Sequence, residues 1–204
     1  HNLSELGGRL TETPFVKVIQ SEACRGTVVV LDVNVTPFSR IWCVLEDHVS
    51  TEGIVQQKTV AHRYDFAAWT TDNGKSLHLD GEAGGGGPLH VGSIFPWTVA
   101  DIGVKVDVTT AEASKPEDRR AILRYIAGED AERHPSYDLL NYSTRCRFAG
   151  AAIYGQARIN NVAGVQDLVR EFPNAVNQIG AHGLAALHKA AAEGYAETVK
   201  VLVE

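Results

Sequence analysis

At 204 residues, 44% hydrophobic and 22% charged, the chain holds enough apolar material for one large core or two small ones. Its net charge of −6 is spread along the sequence without a run of Lys or Arg, which argues against nucleic acid or an acidic membrane surface as partner. No apolar stretch approaches the roughly eighteen residues of a membrane span, so no membrane insertion is expected, and the first residues do not form a signal peptide.

The first element reads as a helix over residues 14–22, with Phe15, Val18 and Ile19 at helical spacing. Gly26 breaks it, and Thr27-Val-Val-Val-Leu-Asp32 is a continuous β-branched run, the pattern of a strand buried on both faces of a parallel sheet. Thr36-Pro37 caps a second helix that runs to His48 and places Phe38, Ile41, Trp42 and Leu45 on one face. Helix, buried strand, helix is one step of a doubly wound α/β fold.

The runs Phe15-Val-Lys-Val-Ile-Gln-Ser21, Val28-Val-Val-Leu-Asp32 and Ser39-Arg-Ile-Trp42-Cys43-Val-Leu-Glu46 together resemble the middle of Toll/interleukin-receptor (TIR) domains. They are also similar to the TIR-like modules that precede repeat arrays in large proteins of algae and other protists. The resemblance is close over about residues 1–50 and looser over 94–140. It implies a partial doubly wound, flavodoxin-like module over residues 1–128, whose first strand, first helix and second strand would precede His1. It also implies a role for Glu46. In enzymatic members the Glu of W-C-x-x-E helps cleave NAD at the nicotinamide–ribose bond, where a carboxylate can stabilise an oxocarbenium-like sugar. A single carboxylate on a helix is more often a solvated surface residue, so Glu46 stands as the alternative catalytic site and Trp42 as a core residue.

Further along, Gln57 to Trp69 and Lys75 to Asp80 read as two strands of a hairpin turned at Asp72-Asn73-Gly74. The run Gly84-Gly85-Gly86-Gly87 lacks the Gly-Lys-Ser/Thr of a phosphate loop and reads as a surface loop. A short helix is expected over 95–103 and a strand over Val104–Thr109. Ser114-Lys-Pro-Glu117 has the form of a capping box opening a helix to Ala127, with Ile122, Leu123 and Ile126 inward, Gly128 as the stop, and Asp118, Arg119 and Arg120 on a solvated face. The charged stretch over 129–138 reads as a linker.

The closing segment, Gly183-Leu-Ala-Ala-Leu-His188-Lys-Ala-Ala-Ala-Glu-Gly194-Tyr195 through Val199, Leu202 and Val203, resembles an ankyrin repeat. Leu187, Ala190 and Ala191 would line its first helix, Gly194 would supply the positive-φ turn, and Val199, Leu202 and Val203 would form the buried stripe of the second. A weaker copy lies thirty-four residues upstream: Val165, Leu168 and Val169 match Val199, Leu202 and Val203, and Ala157 matches Ala191. Asn160 stands in the place of Gly194 and Tyr154 in that of His188. The resemblance implies two all-α ankyrin-type repeats over 139–204, with His188 buried and hydrogen-bonded within the turn. A chain without Met that stops at Glu204, inside the repeat's closing turn, is expected to be part of a longer protein with further repeats.

Function follows from the repeats: a non-enzymatic interaction or scaffold protein, part of a hetero-assembly, binding a protein partner through Gln178, His182 and Tyr195. The alternative is a TIR-type NAD glycohydrolase using Glu46 and regulated by the repeats. Cys24, Cys43 and Cys146 are widely spaced and odd in number, and no His pair has metal-ligand spacing, so neither a disulfide framework nor a metal or other cofactor is expected. A reducing, intracellular compartment, the cytosol, fits best.

Overall fold

The computed structural model describes residues 9–69, 76–79, 95–178 and 185–204. The fold is mostly helical, with a small sheet. In chain order the elements are α1 (Pro14–Gln20), β1 (Gly26–Leu31), α2 (Ile41–Thr51), β2 (Arg63–Trp69), β3 (Ser76–Leu79), α3 (Trp97–Gly103), α4 (Pro116–Ala127), α5 (Pro135–Arg158), α6 (Val162–Glu171), α7 (Ala186–Ala192) and α8 (Ala196–Val203). The sheet order is β1-β2-β3, and β1 and β2 form its parallel pair, joined by the helical crossover through α2. By contacts the chain divides into two units: the described residues within His1–Leu31, Val35–Phe66 and Asp107–Tyr142, and those within Asp32–Asn34, Ala67–Val106 and Ser143–Glu204. α5 begins at Pro135, inside the stretch expected to be a linker.

In the first unit α2 is the central element and packs against α1 and α4. Ile41, Val44 and Leu45 are fully enclosed. The helix does not run unbroken from Pro37. Thr36–Ser39 is a 3-10 turn, Arg40 is extended and bridges to Glu112, and the Ile41 amide donates to the Glu112 carbonyl at 2.9 Å. That bond satisfies an amide that a helix start leaves without an intrahelical partner. Gly26 is required at the start of β1, because a Cβ there would sit 2.8 Å from the Arg63 carbonyl oxygen of β2.

Several sequence expectations give way here. β1 is buried on one side only: Leu31 is enclosed while Val28 and Val30 are 52% and 67% exposed. Successive strand residues face opposite ways, so a run of valines cannot reveal whether both faces are covered. On α1 it is Val16 and Ile19 that are buried, while Val18 faces solvent. Trp42 is half-buried, edge-on to Phe15 with ring centroids 5.6 Å apart. Strand structure in β2 begins only at Arg63, and the turn over Asp72–Gly74 and the glycine run 84–87 lie outside the described residues.

Val104–Thr109 is not a strand but a turn leading into a 3-10 segment, Val108–Thr110. Asp107 caps that segment by accepting from the Thr109 amide at 3.0 Å, and the Val108 amide donates to Asn141 Oδ1 at 2.7 Å. Ser114 forms no capping box either. Pro116 takes the first helical position, the cap falls on Lys115, and no side chain bonds there. The stripe Ile122, Leu123 and Ile126 is buried, and Gly128 ends α4 with φ 83°. Asp118 is buried rather than solvated, and Arg119 folds back to donate to the Thr109 and Ala111 carbonyls.

In the second unit α3 packs on α5 through glycines. A Cβ on Gly155 would come within 2.6 Å of Trp97 Cβ, and one on Gly103 within 2.3 Å of the Phe148 ring. Gln156 of α5, itself buried, donates to both Asp101 carboxylate oxygens of α3 at 2.8 and 2.9 Å. α8 packs against α6 and α7. Among the described residues no helix is long and apolar enough to cross a membrane.

Candidate functional site

The hairpins α5–α6 and α7–α8 have connections that repeat bond for bond at an offset of thirty-four residues. The Asn160 amide donates to Ala157 O at 3.1 Å and the Gly194 amide to Ala191 O at 3.1 Å. Asn161 N to Gln156 O at 3.0 Å matches Tyr195 N to Ala190 O at 2.9 Å. Val162 N to Asn160 O at 3.1 Å matches Ala196 N to Gly194 O at 3.0 Å, and Val165 N to Asn161 O at 3.0 Å matches Val199 N to Tyr195 O at 2.9 Å. Both turns pass through left-handed backbone, φ 55° at Asn160 and 73° at Gly194. Gly meets that demand without steric cost, and Asn is among the few other residues that visit it routinely.

Polar side chains fix the first turn and tie it to its neighbours. Asn161 caps α6, accepting from the Gly164 amide at 3.2 Å while its Nδ2 donates to Gln156 Oε1 at 2.7 Å. Thr198 of α8, fully enclosed, donates its hydroxyl to Asn160 Oδ1 at 2.8 Å. None of Asp101, Gln156, Asn161 and Thr198 stands out in the sequence. The one available signal was a set of short polar residues inside otherwise apolar helical stripes.

The residues expected to bind a partner are placed unevenly. Tyr195 is half-buried at the cap position of α8. Gln178 is also half-buried and lies flat on α5, so close to Gly150 that a Cβ there would meet Gln178 Oε1 at 2.3 Å. His182 lies outside the described residues.

Of the repeat positions, Leu202 is buried, Leu187 half-buried and Ala191 exposed. Val203, expected in the buried stripe, is 63% exposed, and fully enclosed Thr198 joins Leu202 in its place. His188 is exposed rather than buried, although its Nδ1 accepts the Ala185 amide at 3.2 Å and so closes the start of α7.

The alternative site lies in the first unit. Arg40, Cys43 and Glu46 follow at three-residue steps through the start of α2. Burial raises the pKa of Glu46 above the ordinary carboxyl value, and Arg40 opposes it. Burial and then the Glu46 charge push the Cys43 thiol up, again against Arg40. Cys24, Cys43 and Cys146 are all free thiols. Among the described residues no group of three His, Cys, Asp or Glu side chains could hold a metal ion.

Comparison with protein-family models, with curated proteins and with solved structures finds no match to this chain.

Proposed function

We propose that the chain is a protein-interaction scaffold whose hairpins α5–α6 and α7–α8 are ankyrin-type repeats, preceded by a TIR-like module, and that it binds a protein partner within a larger assembly. One observation carries this reading: the recurrence, at thirty-four residues, of the same hydrogen bonds around Asn160 and Gly194. A fixed period of that length with a helix pair per period is the signature of a stacked repeat, and such stacks offer side chains for recognition without disturbing their helices. On this reading the contacts come from Tyr195 and from the connection between α6 and α7, with Gln178 holding that connection against α5.

The test is cross-linking of the native protein from Lys189 and Lys200, followed by the same experiment on Tyr195→Ala. One defined neighbour that disappears in the variant, with helix content unchanged, is the expected result. Equal capture by both proteins would remove Tyr195 from the interface, and loss of helix in the variant would assign it a folding role instead.

A second reading, NAD cleavage at Glu46, is favoured by the half-buried setting of that carboxyl. A carboxylate partly withdrawn from water stabilises an oxocarbenium-like ribose more strongly, while nicotinamide leaves as a neutral base and needs no proton. Nicotinamide release from NAD by the wild type, absent in Glu46→Gln, would move the assignment to this activity.

A further inference from the structure

We propose that Lys58 and His62 form an acid-sensitive latch that fastens the turn between α1 and β1. Lys58 Nζ donates to the Ile19 carbonyl at 2.6 Å and the Cys24 carbonyl at 2.9 Å, and lies 3.3 Å from His62 Nδ1. An ammonium has three N–H donors and no lone pair, so the ring nitrogen that faces it is the acceptor. His62 is therefore neutral and carries its proton on Nε2, 2.9 Å from Thr27 Oγ1. That N–H donates to the hydroxyl, and the Thr27 proton passes on to Ser50 Oγ at 2.8 Å. The cation at one end thus sets the direction of every bond from Lys58 to the enclosed Ser50 of α2.

A proton added at Nδ1 sets N–H against N–H and charge against charge. The Cys24 carbonyl is within reach of the ring as well as of Lys58, so the imidazolium takes that acceptor and Lys58 leaves for water. Release of Lys58 frees the Ile19 carbonyl and leaves the Cys24 carbonyl to the ring alone, so the turn over residues 21–25 loses the bridge that ties it to the end of α1. The groups around the ring come from four elements. The turn supplies the Cys24 carbonyl, its thiol being turned to Gly26 O; β1 supplies Thr27; α2 supplies Ser50 through Thr27; the segment after α2 supplies Lys58. Among the described residues Lys58 is the charged side chain that acts on the ring. Burial first, and then Lys58, hold His62 below the ordinary value of 6.5, so the latch is closed at neutral pH and opens on acidification beneath that value.

The experiment is an NMR titration of the ¹⁵N-labelled full chain, following the His62 ring nitrogens and exchange of the Ala23 and Cys24 amides, both of which bond to Ser21. Expected at neutral pH is an unprotonated Nδ1. On acidification the two amides should lose protection at the His62 midpoint, after correction for intrinsic exchange. In Lys58→Met the midpoint should rise by about half a pH unit or more. A proton on Nδ1 at neutral pH, an unmoved midpoint in Lys58→Met, or amide protection that does not follow the titration would each overturn the latch. If Lys58→Met fails to fold, the wild-type amide protection read against the His62 titration still decides the matter.

Discussion

The fully enclosed Thr198 hydroxyl donates to the side-chain oxygen of Asn160 at 2.8 Å, so the residue that turns the first hairpin also anchors the second. Asn160 does two things at once: it adopts φ 55° and it supplies the acceptor. Its counterpart Gly194, at φ 73°, has nothing within 4 Å of where a Cβ would stand and does only the first.

The two roles separate by substitution. Asn160→Gly keeps the left-handed backbone and strands the Thr198 hydroxyl, which costs about 1–3 kcal/mol less whatever strain is relieved. Asn160→Ala loses the acceptor and adds the strain, so it should be the more damaging by about 1 kcal/mol. Gly194→Ala incurs only the strain, about 1 kcal/mol. Urea unfolding of the three variants should find Asn160→Ala the least stable. An Asn160→Gly variant more stable than the parent by about 1 kcal/mol, the strain relieved with no offsetting loss, would mean that the Thr198 bond contributes nothing.

Close packing of α3 on α5 gives a second expectation. Ala normally favours a helix over Gly by about 1 kcal/mol. At Gly155 the added methyl would press on Trp97 Cβ at 2.6 Å, and at Gly103 on the Phe148 ring at 2.3 Å. Overpacking of this kind costs about 1–3 kcal/mol, which outweighs the gain in propensity. Both Gly→Ala variants should therefore melt earlier than the parent, whereas a rise in Tm for either would place α3 away from α5.

Local pattern and distant contact explain what could and could not be read from the sequence. The stripe of α4 and the stop at Gly128 were legible because period and capping are written within a dozen residues. Val104–Thr109 alternates like a strand, but Asp107 closes a local cap and Asn141 captures the Val108 amide from thirty-three positions away. Gln178 had the look of an exposed loop residue, and only the bare Gly150, twenty-eight positions earlier, makes room for it. At the start of α4 two signals competed, and Pro116, whose fixed φ suits the first helical position, set the register against Ser114. At α2 the W-C-x-x-E residues lie on one helix as their spacing implied, but the half-burial of Glu46 depends on packing that the motif does not encode.

The register of α8 is testable by two neighbouring residues. Leu202 is 7% exposed and Val203 63%. Leu202→Ala should cost about 2–4 kcal/mol, since it opens a cavity that the surrounding helices fill only in part. Val203→Ser should stay within about 0.5 kcal/mol, as exposed substitutions usually do. Reversal of that order in denaturant unfolding would mean that the helix is rotated from the orientation described.

Glu46 gives a pH-dependent expectation whose sign is set by burial. Its folded pKa is raised above the ordinary 4.5, with desolvation the leading cause and Arg40 opposing. The folded state therefore holds this proton more tightly than the unfolded chain. Its stabilising effect is complete below the unfolded value and is lost as pH rises through the folded one. Glu46→Gln removes the ionisation and keeps the shape. The variant should be the more stable at neutral pH, and its advantage should shrink to nothing as both proteins are acidified. A difference independent of pH would place the carboxyl in water. The same pair of proteins separates the two functional readings: under the scaffold reading, wild type and Glu46→Gln release nicotinamide from NAD at the same background rate and bind the partner equally.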